Sequence, residues 1–202
     1  IYIPKQTQSS IELIELLIPS FERIQDVFNV LDEHTNYTVL RNWEEWPETL
    51  ISSEHGDIDI LTKNYYTTLL LLGARPVFPQ DYRVHHLVKV GEKSIPFDVR
   101  FVGDGYYDQN WQNALLDQKT RQDGFNRLAD ADYFWTLLYH GVFHKRGLSE
   151  KYRSKLESMQ IGTPSRSLLI EYLKKNRFGI PTPNDKSVRF HSSLISQILF
   201  WG

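Results

Sequence analysis

The 202-residue sequence has no cysteine, which excludes disulfides, thiolate metal sites and cysteine nucleophiles, so that any metal must be held by carboxylates or imidazoles. It has no basic excess: 23 lysines and arginines stand against 25 aspartates and glutamates, giving a formal net charge of -2 and a pI near 6.4. Bulk attraction to nucleic acid or an anionic membrane is therefore not expected, and nucleic acid is a poor candidate partner. It also has no apolar run near the roughly 18 residues that cross a bilayer. The longest, Thr67 to Gly73, ends in a glycine, so no membrane span is expected. No signal peptide, repeat or low-complexity tract is visible, and the expected location is cytoplasmic. The chain starts at Ile1 without a methionine and ends on Trp201 and Gly202, so it is expected to be a piece of a longer multi-domain protein.

The residues present read as an α/β half followed by a helical half. Ile14, Leu17, Ile18, Phe21, Ile24, Val27, Phe28 and Leu31 recur at helical spacing over residues 11 to 33, with Ser9 and Ser10 as candidate N-caps. Tyr37 to Leu40 predicts a short strand that runs into a tryptophan-rich loop containing Pro47, and Asp57 to Leu61 (DIDIL) predicts a second strand. Asn64 to Leu72 reads as a helix stopped by Gly73, before an extended Arg75 to Val77. Tyr82 to Val90 and Ile95 to Val102 flank a polar loop, Gly91 to Ser94, and predict an antiparallel pair. The sheet is thus mixed or antiparallel. Beyond about residue 108 strand signals cease: Trp111 to Leu116, Asp132 to Phe143, Lys151 to Met159 and Ser165 to Lys175 carry helical periodicity. The expected organisation is an α/β core with an N-terminal helix over residues 1–107 and a helical region over 108–202.

Asp57 and Asp59 alternate on one strand and so point the same way, close enough to share a divalent cation. The alternative is an exposed strand face with two solvated aspartates. Gly56 permits a sharp turn into this strand. Asp98 sits in IPFDVRF among Ile95, Phe97, Val99 and Phe101, a poor setting for a carboxylate without a partner, and a neighbouring strand would bring it beside the pair. A separation beyond about 8 Å would exclude a shared metal cluster.

Two carboxylates on one strand and a third on a strand beside it, after a helical N-terminus, resemble the nucleotidyltransferase fold of the polymerase beta type, shared with kanamycin nucleotidyltransferase and minimal nucleotidyltransferases. The similarity covers about Tyr37 to Asp104. It implies a mixed, largely antiparallel sheet flanked by helices, with Asp57, Asp59 and Asp98 holding two Mg2+ (or Mn2+) ions and Asp98 a candidate base for the acceptor hydroxyl. A nucleoside triphosphate or other activated nucleotide would be the donor. The chain departs from the family where a glycine-serine turn would hold the triphosphate, since Leu40, Arg41, Asn42 and Trp43 stand there. Arg41 and Asn42 are candidate phosphate donors in its place, or Arg41 is a surface partner for Glu44 or Glu45. Choline-phosphate and sugar-phosphate transferases are similar in placing an arginine before an aspartate-rich strand.

Arg100 shares the face of Asp98, to bind phosphate or neutralise the acids. His140 and His144 are spaced i, i+4, but a zinc protease site would need a glutamate where Gly141 stands, so the helix is expected to line the cleft or to be structural, with Lys145 a candidate phosphate contact. His85 and His86 are expected to be structural or exposed. The loop Val102 to Trp111 (VGDGYYDQNW) is a candidate stacking surface for a sugar or glycan acceptor, and the five tryptophans are compatible with glycan biosynthesis. A metal-dependent nucleotidyl- or phosphoryl-group transferase is the leading reading. The alternatives are a glycosyltransferase using Asp57-Ile58-Asp59 as its metal motif, and a binding or regulatory module that keeps the fold without catalysis.

Overall fold

The computed structural model describes residues 19–44, 46, 57–77, 85–145 and 147–181. Helix α1 (Ile24–His34) is followed by strands β1 (Tyr37–Val39) and β2 (Ile58–Thr62), helix α2 (Tyr65–Leu72), and strands β3 (Arg75–Pro76), β4 (His85–Val90) and β5 (Lys93–Phe101). Then come helix α3 (Gln109–Asp117), strands β6 (Thr120–Gln122) and β7 (Phe125–Arg127), and helix α4 (Asp130–Tyr139), which runs into a π-helical turn at His140–His144. Helices α5 (Glu150–Ser158) and α6 (Arg166–Lys175) complete it.

The strands form one seven-stranded sheet in the order β3-β4-β5-β2-β1-β7-β6. It is mixed and largely antiparallel, as expected, with parallel pairing of β2 with β5 and of β1 with β7. Every residue of β2 is buried, which suits a central strand covered on both faces. On one face Ile58 and Ile60 of β2 align with Phe97 and Val99 of β5, and all four are fully buried. Helix α2 packs on this face: the Thr62 and Thr68 hydroxyls bond at 2.8 Å, and the Tyr65 and Phe101 rings lie 4.7 Å apart. The opposite face carries Asp59 and Asp98 in register.

Local signals explain most element ends. Gly73 takes a left-handed conformation (φ 55°), and Ala74 N–H donates to Leu69 O, so glycine closes α2 as its position suggests. The Asp108 carboxylate accepts from the N–H groups of Asn110 and Trp111 at the start of α3. Ser149 and Ser165 cap α5 and α6 in the same way. In α1, Val27, Phe28 and Leu31 face the core. Residues 19–23, expected in the helix, are not helical, and Phe21 instead bridges to Val90 in parallel; expected helix residues 11–18 and the proposed caps Ser9 and Ser10 lie outside the described residues. Among the described residues no helix is long and apolar enough to cross a membrane.

Two further expectations are corrected. Strands do recur beyond residue 108, because Asp123 (φ 52°) and Gly124 (φ 88°) form a tight turn that joins β6 to β7, and β7 adds to β1, leaving β6 at the sheet edge. An Asp-Gly pair at a hairpin turn is the signal that periodicity alone overlooks in so short a segment. The hairpin of β4 and β5 is also tighter than expected: Val90 pairs with Lys93 across Gly91 (φ 56°) and Glu92, so each residue of β5 faces a partner two positions earlier in β4 than a four-residue loop would give.

Replacing Gly124 with alanine places a Cβ at φ 88° and against the Gln25 amide, whose Nε2 donates to Gly124 O at 2.7 Å. The expected loss is about 1–3 kcal/mol, read as a lower urea midpoint at unchanged slope.

Candidate functional site

Strands β2 and β5 run parallel with Asp59 beside Asp98, and Asp57 lies two residues before Asp59 at the mouth of β2. One oxygen from each of the three carboxylates lies within 4.8 Å of the others, well inside the limit for a shared metal cluster. Asp59 and Asp98 are buried and Asp57 is half-buried, so the reading of two solvated aspartates on an exposed face does not hold. Gly56 lies outside the described residues.

Close-packed carboxylates with little access to water repel one another and lose hydration. Burial first, and Asp98 next, push the Asp57 carboxyl up. Burial pushes Asp59 up to about 8, against the pull of Arg41 and with the further push of Asp98 and Asp57. Three cationic or donor groups answer this. The Arg41 guanidinium pairs with Asp59 Oδ1, and His85 Nδ1 pairs with Asp98 Oδ1. Arg100, beside Leu61 on the same face, is only 2% exposed and favours the charged form of Asp59 while lying 3.8 Å from Asp104 Oδ2.

Arg41 is thus neither a surface residue nor a partner of Glu44, which pairs with Lys155 at 2.7 Å. Its other arm donates to the Tyr106 hydroxyl at 3.1 Å, and that hydroxyl bonds His140 Nδ1 at 2.6 Å. The Tyr106 ring lies between the Arg100 guanidinium, 4.0 Å from its centroid, and the His144 ring, 3.9 Å from it. His140 and His144 are therefore structural members of this network. They are buried on the π-helical turn, a geometry that recurs at functional sites. Burial and the nearby Arg41 hold His140 far below its ordinary range, so it is neutral and its Nδ1 shares a hydrogen bond with the Tyr106 hydroxyl.

Asn42 follows Arg41 in a left-handed conformation (φ 63°), which asparagine tolerates, and its N–H donates to the Tyr133 hydroxyl at 3.4 Å. Asn42, Lys145, Ser149, Lys151 and Tyr152 line a cavity of about 440 Å³. Asn42 directly follows Arg41, which pairs with Asp59, so the turn after β1 links this cavity to the carboxylates. The sequence reading missed Lys151, Ser149 and Tyr152 here, because only the fold brings the start of α5 against the turn after β1.

It also missed His85. A four-residue loop would set Leu87 opposite Asp98, whereas the observed two-residue turn sets His85 there. His86, on the other face, is structural as expected, with Nε2 3.4 Å from the Tyr65 hydroxyl. The aromatic loop after β5 is a further correction: Tyr106, Tyr107 and Trp111 are buried and offer no outward stacking surface. Trp135 stacks on Tyr172 at 3.9 Å and Trp43 packs on Tyr133 at 4.1 Å, while one face of Trp43 lines a cavity; Trp201 lies outside the described residues.

The donor set of Asp57, Asp59 and Asp98 is all carboxylate oxygen, which suits a hard divalent cation such as Mg2+ or Mn2+ and disfavours a thiophilic metal. The repulsion among the three is what such a cation relieves, so these residues fit the ion implied by the resemblance.

No protein-family profile and no curated protein sequence matches the chain. Among solved structures it is similar to the solution structure of the antibiotic-resistance factor ANT(2'')-Ia, with 13% sequence identity, a TM-score of 0.39, and coverage of 84% of this chain and 95% of that one.

The raised carboxyls make a signed prediction for the metal-free protein. Asp59 titrates near 8 in the fold and near 3.8 when unfolded, so its protonated form stabilises the fold; that contribution is complete below about pH 4 and is lost as the pH rises through 8. Asp57→Asn removes one of the repelling charges. In EDTA the variant is expected to be more stable than wild type by on the order of 1 kcal/mol at pH 8, with the difference shrinking toward pH 5 in urea titrations.

Proposed function

We propose that this chain transfers a nucleotidyl or related phosphoryl group from a nucleotide donor to a hydroxyl of a small molecule or glycan, with Mg2+ or Mn2+ held by Asp57, Asp59 and Asp98. The observation that carries this reading is the convergence of the three carboxylate oxygens within 4.8 Å on paired parallel strands. That spacing and donor type suit phosphoryl transfer, where catalysis is mostly positioning and charge neutralisation. A cation bound there supplies charge neutralisation at the donor phosphate and a lower pKa for the acceptor hydroxyl.

The chain's own residues account for the rest. Lys145 and Lys151, with the Ser149 hydroxyl and the Asn42 side chain, line the adjoining cavity and bind the donor's phosphate oxygens. Asp98, held through Oδ1 by His85, is oriented toward the reaction centre and is the candidate acceptor of the hydroxyl proton. Arg41 and Arg100 favour the charged form of Asp59, against its burial and the neighbouring carboxylates, and a bound cation would complete that balance. The near-neutral charge of the chain favours a small or uncharged acceptor over nucleic acid. A cavity of about 690 Å³ at the same turn, lined by Trp43, Trp46, Phe125 and Tyr133 with Glu44 and Asp130, supports an acceptor with an apolar ring face and hydroxyls.

The second reading, a binding module without turnover, is favoured by one observation: Arg41 is committed to Asp59 at the turn where a glycine-serine pair would hold the triphosphate. Thermal-shift measurements with nucleoside triphosphates and nucleotide sugars, with and without Mg2+ or Mn2+, test both readings. A metal-dependent rise in Tm with one nucleotide is expected, absent in the Asp57→Ala, Asp59→Ala double variant. Product formation with that nucleotide supports the transferase, and stabilisation without product supports the module. No shift with any nucleotide contradicts both. Lys145→Ala with Lys151→Ala is expected to weaken nucleotide affinity about tenfold or more while Mn2+ binding persists.

A further inference from the structure

We infer that the carboxylate cluster takes a single divalent cation and that Arg41 is a fixed cation occupying the place of a second. The inference rests on the metal reading above and changes the ion count that the family resemblance implies.

Arg41 is held at both ends. One arm pairs with Asp59 Oδ1, and the other donates to Tyr106, which His140 holds in turn. The guanidinium side chain is 9% exposed and the Asp59 side chain 1%, so neither moves into solvent without opening the core. The Tyr106 ring is itself clamped between Arg100 and His144, which makes the anchor rigid. A surface arginine that swings between acid and phosphate has none of these restraints.

Two consequences follow for ion binding. A carboxylate bridging two metal ions presents both oxygens to them, and Asp59 has given Oδ1 to the guanidinium while Asp98 has given Oδ1 to His85. With the carboxylates ionised around a bound ion, the local charge balances at one: Asp57, Asp59, Asp98 and Asp104 less Arg41 and Arg100 leave two negative charges, which one divalent cation neutralises. A second dication would sit beside a buried guanidinium in a medium of low dielectric. The arginine also needs no dehydration when donor binds, because it is already desolvated and oriented.

Mn2+ alone is the probe, counted by the electron paramagnetic resonance signal of the free ion during titration of the full chain in chelator-treated buffer. The wild type is expected to bind one Mn2+ per chain. Arg41→Gln and Arg41→Met, two neutral replacements of different polarity whose folding is checked by thermal melts, are expected to bind a second Mn2+ and to bind the first about tenfold more tightly. Arg41→Lys, which keeps the charge, is expected to retain a count of one. A wild type that takes two ions overturns the inference and leaves the metal reading intact. A wild type that takes none at millimolar Mn2+ overturns the metal reading itself. Neutral variants that match wild type in both count and affinity also overturn the inference.

Discussion

The placement of three carboxylates at the junction of two parallel central strands is the constraint on which the rest of this structure depends. Ionised groups are costly to bury unless paired, and two of these three, Asp59 and Asp98, are almost wholly removed from water. The fold answers with positive charge and hydrogen bonds drawn from distant parts of the chain. Arg41 comes from the end of β1, His85 from the antiparallel neighbour of β5, and Arg100 from β5 itself. Tyr106 and His140, from the loop after β5 and the end of α4, hold Arg41 in place. The polar network is thus a consequence of the acidic face, and the π-helical turn at His140–His144 is the local irregularity through which helix and network meet.

The opposite face of the same strands bears the compensating stability. Ile58, Ile60, Phe97 and Val99 are fully buried, and helix α2 packs there through Tyr65 and the Thr68 hydroxyl. A strand with period two can therefore be half core and half site, each residue's role set by parity alone. The raised carboxyls mean that the metal-free site works against folding at neutral pH, a pattern common where function and stability compete.

Parity is also why much of this was legible in the sequence. The alternation in DIDIL and the misplaced aspartate in IPFDVRF were enough to expect a shared face, and the observed register puts Asp59 beside Asp98. Glycines at residues 73 and 91 mark the ends they appear to mark because only a left-handed backbone fits there. What was not legible depends on contacts remote in sequence. His85 was hidden by an error of two residues in loop length, which preserves the face but changes the partner. Arg41 reads as a surface or phosphate residue until Tyr106, 65 positions later, is seen beneath it. The hairpin of β6 and β7 is too short for periodicity to register, although its Asp-Gly turn is present. The aromatic loop reads as a binding surface because composition does not tell which way a ring faces.

The central claim is that Asp57, Asp59 and Asp98 form one hard-cation site, and crystals of the full chain soaked in Mn2+ test it directly. The account predicts an anomalous peak about 2.0–2.6 Å from an oxygen of each of the three carboxylates, with the Arg41 guanidinium still on Asp59. Anomalous density elsewhere, or none among these three side chains, would contradict it.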